Sequence, residues 1–304
     1  MPVSRVERER PGRRGRAKEG GDMMVGLEQR RVVVKAGAAG VPVLALGLSL
    51  GVAVLMGCGR SGEEPTRTAS IRVFAPWPLE MRMRRVFESY QIAHPDIRFE
   101  LTTATPGELI KRTRRGDVPD VFVAMGPVEV DVLRGDALVR DGGQSEIMKQ
   151  RLVLICSPAM KDVVKEMKDL AKPEIRKIGF CVTPTLSAGV FTSQALEKTG
   201  VLDAVKTKAL TPPLRSLLEG KTDCAIALEE CCYLEDLLVG KLTPLPGVVV
   251  VGALPESLCP EFSIFALALR GPARPELAIE FVQFLGGKIS QDIFQRRGSA
   301  ACPT

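Results

Sequence analysis

The stretch IRVFAPWPLEMRMRRVFESYQ, residues 71–91, decides the fold class. It opens on an apolar run of strand length, and then Met83, Val86, Phe87 and Tyr90 recur at spacings of three and four. That pattern predicts a strand over 71–75 feeding a helix over 79–94, closed by Pro95 and Asp96. A second apolar run, 97–102, follows, and a strand, a crossover helix and another strand make the repeating unit of an α/β sheet. Working outward, Thr105-Pro106-Gly107-Glu108 reads as a capping box with proline at the first helical position, and its helix ends near Gly116. Further strands are expected over 121–125, 151–156, 178–182, 224–228, 248–251 and 263–269, and helices over 186–199, 214–220, 275–284 and 290–296. No internal repeat is present, and the order suits two α/β lobes.

Composition narrows the function. With 45% apolar and 26% charged residues over 304 positions, disordered and collagen-like architectures are excluded. Ten of the 42 Lys/Arg and five of the 36 Asp/Glu precede Cys58, so 32 bases face 31 acids in the remainder. A nearly neutral body with one Trp, two Tyr and no basic stripe argues against a nucleic-acid platform, and no helix-turn-helix precedes residue 70. A single histidine, His94, argues against His-based metal sites and against Ser-His or Cys-His catalysis. A carboxylate-only mechanism through Asp120 or Glu229 is the enzymatic alternative left, and the chain is read as a non-enzyme without a cofactor.

The N-terminus reads as an address. An uncharged stretch, 36–56, follows Arg30, Arg31 and Lys35 and ends in Leu55-Met56-Gly57-Cys58, which resembles a bacterial lipobox. Cys58 is then the lipidated first mature residue; the alternative is an uncleaved transmembrane anchor. Both place the remaining chain outside the cytoplasm on a membrane. Residues 1–57 are accordingly a charged leader and signal, with Met23 or Met24 as a more ordinary start, and residues 58–69 a polar, flexible tether.

Taken in order, the segments resemble the type II periplasmic binding proteins, above all the molybdate-binding receptors of ABC transporters. The resemblance rests on 71–91, on TPGELIKRTRRGDVPDVFVAMG (105–126), on RLVLICSPAM (151–160), on IGFCVTPTLSAGVFTSQALEKTGVLDAV (178–205) and on AIEFVQFLGGKISQDIFQRRG (278–298). It implies two lobes, each a mainly parallel sheet flanked by helices, joined by hinge strands at 151–157 and 263–269. Lobe 1 would comprise 70–156 and 260–304, lobe 2 157–259. It also implies a monomeric receptor that closes over a small solute, an oxyanion such as molybdate or tungstate, and delivers it to a membrane permease. Independently of family, ligands of open α/β sheets sit where strand ends lead into helix N-termini, whose free N–H groups suit an anion. The termini available are Pro76-Trp77-Pro78, Thr105-Pro106-Gly107 and Leu186-Ser187, and the resemblance adds Met125, Leu228 and Glu229, so that the lining set is Pro76, Trp77, Pro78, Thr105, Gly107, Met125, Leu186, Ser187, Leu228 and Glu229.

The sequence departs from that family at the site. Pro78 stands where the receptors present a serine hydroxyl, Ala104-Thr105-Pro106-Gly107 replaces a serine cluster, and Leu228 replaces a tyrosine. Trp77, Glu229 and Glu230 fill the gap, and two carboxylates would oppose an oxyanion unless both point away. Two readings stay open: a changed solute, cationic or organic, with Trp77 as its aromatic face, or a solvent-facing helix start at Glu229-Glu230 with Trp77 packed on the first helix. Seven cysteines follow Cys58 without a CxxC spacing. Cys156, Cys181 and Cys224 read as buried small hydrophobes, whereas Cys231 and Cys232 are weak candidates for a soft-metal or thiol-redox site.

Overall fold

A computed structural model describes residues 32–33, 69–236, 241–272 and 274–295. The expected signal at 36–56, Cys58, the tether up to residue 68 and Cys302 lie outside the described residues. Among those described, no helix is long and apolar enough to cross a membrane. The elements in chain order are β1 (Val32–Val33), β2 (Ala69–Pro76), α1 (Glu80–Ala93), β3 (Ile97–Ala104), α2 (Pro106–Arg114), β4 (Val121–Ala124), α3 (Pro127–Gly135) and β5 (Val139–Gln150). Then come β6 (Leu152–Cys156), β7 (Ile178–Gly179), α4 (Ser187–Lys198), α5 (Leu202–Val205), β8 (Ala209–Leu210), α6 (Pro213–Leu218) and β9 (Cys224–Leu228). The chain continues through β10 (Tyr233–Asp236), β11 (Lys241–Pro244), β12 (Val249–Ala253), β13 (Phe262–Leu269), α7 (Pro275–Gly286) and α8 (Lys288–Gln295).

Two sheets result, in the orders β1-β3-β2-β4-β13-β5 and β12-β6-β9-β7-β8, with β10 and β11 paired apart from them. Within the first sheet, β3, β2 and β4 run parallel and the returning strands β13 and β5 join antiparallel. In the second, β9, β7 and β8 are parallel while β6 and β12 are antiparallel. Alternation of side chains explains why both sheets take helices on two faces. Ile71, Val73 and Ala75 enter one core with Met83, Val86, Phe87, Tyr90 and Phe281, while Phe74 enters another with Leu109, Ile110 and Leu133. Leu154, Cys156, Cys224 and Ile226 likewise face one core of the second lobe, and Val153, Ile155, Ala225 and Ala227 the other.

The crossings fall one step away from where the sequence suggests. Residues 152–156 are expected at the end of lobe 1 and as its hinge, but β6 pairs with β9 on one side and β12 on the other, inside the second sheet. The run is buried along its whole length, so it requires neighbours on both edges; the change of sheet happens at Arg151. Similarly, 263–269 is expected as the second hinge, but it lies within the first sheet as part of β13, and the crossing is made by residues 254–261. The two crossings run side by side: Phe262 is the register partner of Gln150, and Leu254 N donates to Leu152 O at 2.9 Å.

Seven elements are absent from the sequence reading: β1, α3, β5, α5, β8, β10 and β11. β5 (VRDGGQSEIMKQ) is polar and carries two glycines, a composition that reads as a loop, yet a Cβ on Gly143 would meet the Ala268 Cβ at 2.8 Å. Glycine is what lets β5 approach β13. Conversely, β7 covers only Ile178–Gly179 of the strand expected over 178–182, because the chain turns away toward Pro184 and leaves Val182 exposed.

Candidate functional site

The ends of β2, β3 and β4 carry three chain turns toward the second lobe. The first, Trp77–Leu79, is a single 3-10 turn that lies beside a similar turn, Glu229–Cys231, of the opposite lobe. Trp77 is 47% exposed there, so it does not pack away on α1. The second is the start of α2, where Thr105 Oγ1 accepts from Glu108 N at 3.4 Å, the Thr half of the expected capping box. The third is Met125-Gly126 leading into α3, a helix opened by Pro127.

α4 of the second lobe points its N-terminus at these turns. Leu186, just before it, reaches into the core around Phe74, Leu109 and Phe122 of the first lobe, and its Cδ1 stands 3.7 Å from where a Cβ on Gly107 would lie. Ser187 is fully buried between the lobes. Its Oγ accepts from Val128 N at 3.1 Å and donates to Glu129 Oε2, and its N–H donates to Glu129 Oε1 at 3.2 Å. A Cβ on Gly126 would fall 2.2 Å from Ser187 Oγ, so only glycine permits this contact. The two helix tips satisfy each other, and the group that ends up on the α4 tip is a carboxylate of the protein itself.

Glu129 is 1% exposed. Burial pushes its carboxyl above the ordinary value, with the hydrogen bonds from Ser187 and from its own backbone N–H opposing part of that shift. Among the described residues it makes no ion pair. At the turn that leads into α3, Gln150 donates its amide N–H to Met125 O. Gln150 is 1% exposed and its Oε1 has no hydrogen-bond partner. Because only the amide nitrogen can donate to a carbonyl, the orphan atom is the oxygen.

Leu228 contacts the cores of both lobes. Glu229 and Glu230 do not begin a solvent-facing helix: they sit in the short turn after β9, and both are paired with arginine. Arg151 reaches Glu229 through Nε and Nη2, each at 3.1 Å. Arg82 of α1 meets Glu230 across the lobe boundary at 2.5 Å, with both side chains 5% exposed. The expected charge conflict is therefore answered inside the protein, as buried carboxylates require a partner.

The thiols give no support to the soft-metal or redox reading. Burial first, and the adjacent Glu229 and Glu230 second, push Cys232 up to about 12, and burial raises Cys231 well above its ordinary value. Thiols raised in this way are weak nucleophiles for exchange, which needs thiolate. Among the described residues no group of three His, Cys, Asp or Glu is placed to hold a metal. Asp120 lies at the start of β4, at the far end from the helix tips, where Oδ2 accepts from Arg72 N at 2.8 Å and ties β4 to β2.

Of the ten lining residues expected, the structure brings the Leu186-Ser187 tip to Gly107 and to the turn after Met125, and the Pro76-Trp77-Pro78 turn to Glu229. Glu129, Gln150 and Arg82 are absent from the sequence reading, and Arg151 enters it only as the start of a hinge strand. A signal for Glu129 exists, since Gly126-Pro127 followed by an acid is a helix start. Nothing local marks Gln150.

No curated protein matches the chain in sequence. Among solved structures it is similar to the periplasmic molybdate-binding protein of Azotobacter vinelandii, with 14% identity, 77% of this chain and 100% of that one covered, and a TM-score of 0.58. It is also similar to the substrate-binding domain of a putative molybdenum ABC transporter from Clostridium difficile, with 20% identity, coverages of 76% and 97%, and a TM-score of 0.55. Iron-bound HitA from Pseudomonas aeruginosa matches at 17% identity, coverages of 74% and 83%, and a TM-score of 0.52. These likenesses establish the two-lobed periplasmic-binding-protein-like fold. The family model for a bacterial extracellular solute-binding protein matches residues 71–299, from β2 through α8, and the chain belongs to that family.

Proposed function

We propose that the protein captures a small solute between its lobes, outside the cytoplasm, and presents it to an ABC-type permease without catalysing a reaction. The observation that carries this reading is the meeting of α3 and α4 from opposite lobes at Ser187, over two crossings at Arg151 and 254–261. Such an arrangement lets hinge motion open and close a shared site. Membership in the extracellular solute-binding family supports both the solute and the transport partner. Pro76, Trp77, Pro78, Thr105, Gly107, Met125, Leu186, Ser187, Leu228 and Glu229 line the site, Cys58 carries the lipid anchor, and the receptor acts as a monomer.

For the solute, the resemblance favours a tetrahedral oxyanion such as molybdate or tungstate, and the α2 and α4 tips supply the dipoles one needs. Against it stands Glu129. Two unit charges about 4 Å apart repel by about 4 kcal/mol at an effective dielectric near 20, and the donors of Ser187 are already engaged. The Arg151–Glu229 and Arg82–Glu230 pairs spend the nearby cations on protein carboxylates. The geometry thus favours an organic or cationic solute over an oxyanion.

The reading is tested by thermal shift and small-angle scattering on the exported protein, with molybdate, tungstate, sulfate and a fractionated extract of small metabolites. A solute that raises the melting temperature and contracts the particle supports a receptor. A particle whose dimensions and stability respond to no fraction refutes it. Fractionation and lipid labelling of Cys58→Ala tests the anchor, which requires that the variant lose both label and membrane association.

A further inference from the structure

Around the α3–α4 contact the buried polar atoms are unbalanced in one direction. Glu129 Oε1 and Oε2 are acceptors held by Ser187 and by the residue's own backbone N–H, with no counter-cation among the described residues. Gln150 Oε1 is a buried acceptor without any partner, and its side chain is anchored to Met125, the residue preceding the glycine on which Ser187 rests. On the donor side, Ser187 N–H, Ser187 Oγ–H and Val128 N–H are all engaged, while Pro76, Pro78, Pro106 and Pro127 contribute no N–H at all. A buried acceptor left unpaired is costly, so its place in a binding fold marks where a donor belongs. Trp77, half exposed on the adjoining turn, offers an aromatic face.

We infer that Glu129 and Gln150 determine specificity in this cleft, selecting a small organic solute that presents N–H donors, an amine or ammonium compound, and turning away free tetrahedral oxyanions. The inference rests on the receptor reading above and gives its solute a chemical class. Glu129 plays a double part: it occupies the α4 tip in place of a solute anion, and it supplies the negative charge that an ammonium group pairs with. Gln150 Oε1 accepts from a second N–H of the same solute.

The test is isothermal calorimetry on the full exported chain with ethanolamine, putrescine, choline and sodium molybdate, comparing the wild type with Glu129→Gln and Gln150→Glu. Glu129→Gln keeps shape and removes charge; Gln150→Glu keeps the acceptor and adds charge, so neither relies on a cavity-forming change. The expected result is saturable binding of ethanolamine or putrescine to the wild type, weaker binding of choline, which has no N–H, and none of molybdate. Glu129→Gln is expected to lose about tenfold or more in amine affinity, and Gln150→Glu to retain or gain it. Amine binding of equal strength in Glu129→Gln overturns the inference, as does saturable molybdate binding to the wild type, or silence toward every amine. The last two outcomes leave the receptor reading standing whenever another solute contracts the particle; absence of any contraction refutes that reading separately.

Discussion

Replacing Arg82 and Glu230 tests how the two lobes are joined. Arg82 Nη1 and Glu230 Oε2 are 2.5 Å apart, each side chain is 5% exposed, and one belongs to α1 of the first lobe while the other belongs to the turn after β9 of the second. Removing one member takes this pairing from a buried charge, which costs up to about 3–5 kcal/mol, whereas replacing both by apolar groups of similar volume is nearly neutral or better. Glu230→Leu alone should therefore lower the unfolding free energy by up to about 3–5 kcal/mol, and Arg82→Met with Glu230→Leu should recover most of it. That asymmetry gives a coupling energy well above the few tenths of a kcal/mol expected for independent sites. The assay is urea unfolding of wild type, both single variants and the double, followed by fluorescence of the sole tryptophan, Trp77, which lies at the same lobe boundary. Additive single effects, or a double variant less stable than either single, would show that the pair does not hold the lobes together.

Two further outcomes follow from the α3–α4 contact. Gly126→Ala places a Cβ 2.2 Å from Ser187 Oγ and 3.2 Å from Phe262 Cδ2, so the lobes must separate; scattering should report a larger radius of gyration, and an unchanged particle would mean that the tips yield locally. Burial raises the Glu129 carboxyl above its ordinary 4.5, so the folded state takes up a proton that the unfolded state does not. Stability from this group is present in full below about 4.5 and is lost as pH climbs through the raised folded value; melting curves across that window should slope downward in the wild type and flatten in Glu129→Gln.

The legible parts of the sequence were those where one segment carries its own pattern. The apolar alternation of 71–75 and 121–125, the periodicity of α1 and the Thr105 cap all emerge from neighbours within a few residues. The crossings were harder, since an apolar run such as 152–156 does not reveal which sheet it joins; that depends on its pairing with Cys224–Leu228, more than sixty residues away. β5 was hidden because it is polar and carries two adjacent glycines, of which Gly143 serves close contact with β13 and Gly142 takes a positive φ within the strand rather than in a turn. At the site, the helix tips at Leu186-Ser187 and Thr105 could be named from local chemistry, but what occupies one of them could not. Glu129 and Ser187 are 58 positions apart, as are many acid and serine pairs in any chain; only the fold selects this one.

A receptor must bind its solute more tightly in the closed form than in the open one, because a ligand shifts a conformational equilibrium only by that difference. In this protein the lobes touch one another directly: Leu186 enters the first lobe's core, Ser187 links two helix tips, and Arg82 pairs with Glu230. Such contacts by themselves favour closure and reduce what a solute has to supply. The opposing term is also visible, in a carboxylate buried without a cation and an amide oxygen buried without a donor, the second worth about 1–3 kcal/mol by itself. On the inference above, closure is what imposes those penalties, and an N–H-bearing cation removes both at once. Discrimination and closure then draw on the same two residues, so a change that relieves the penalty without a solute, such as Gln150→Leu, should leave the empty protein more closed and its response to solute smaller.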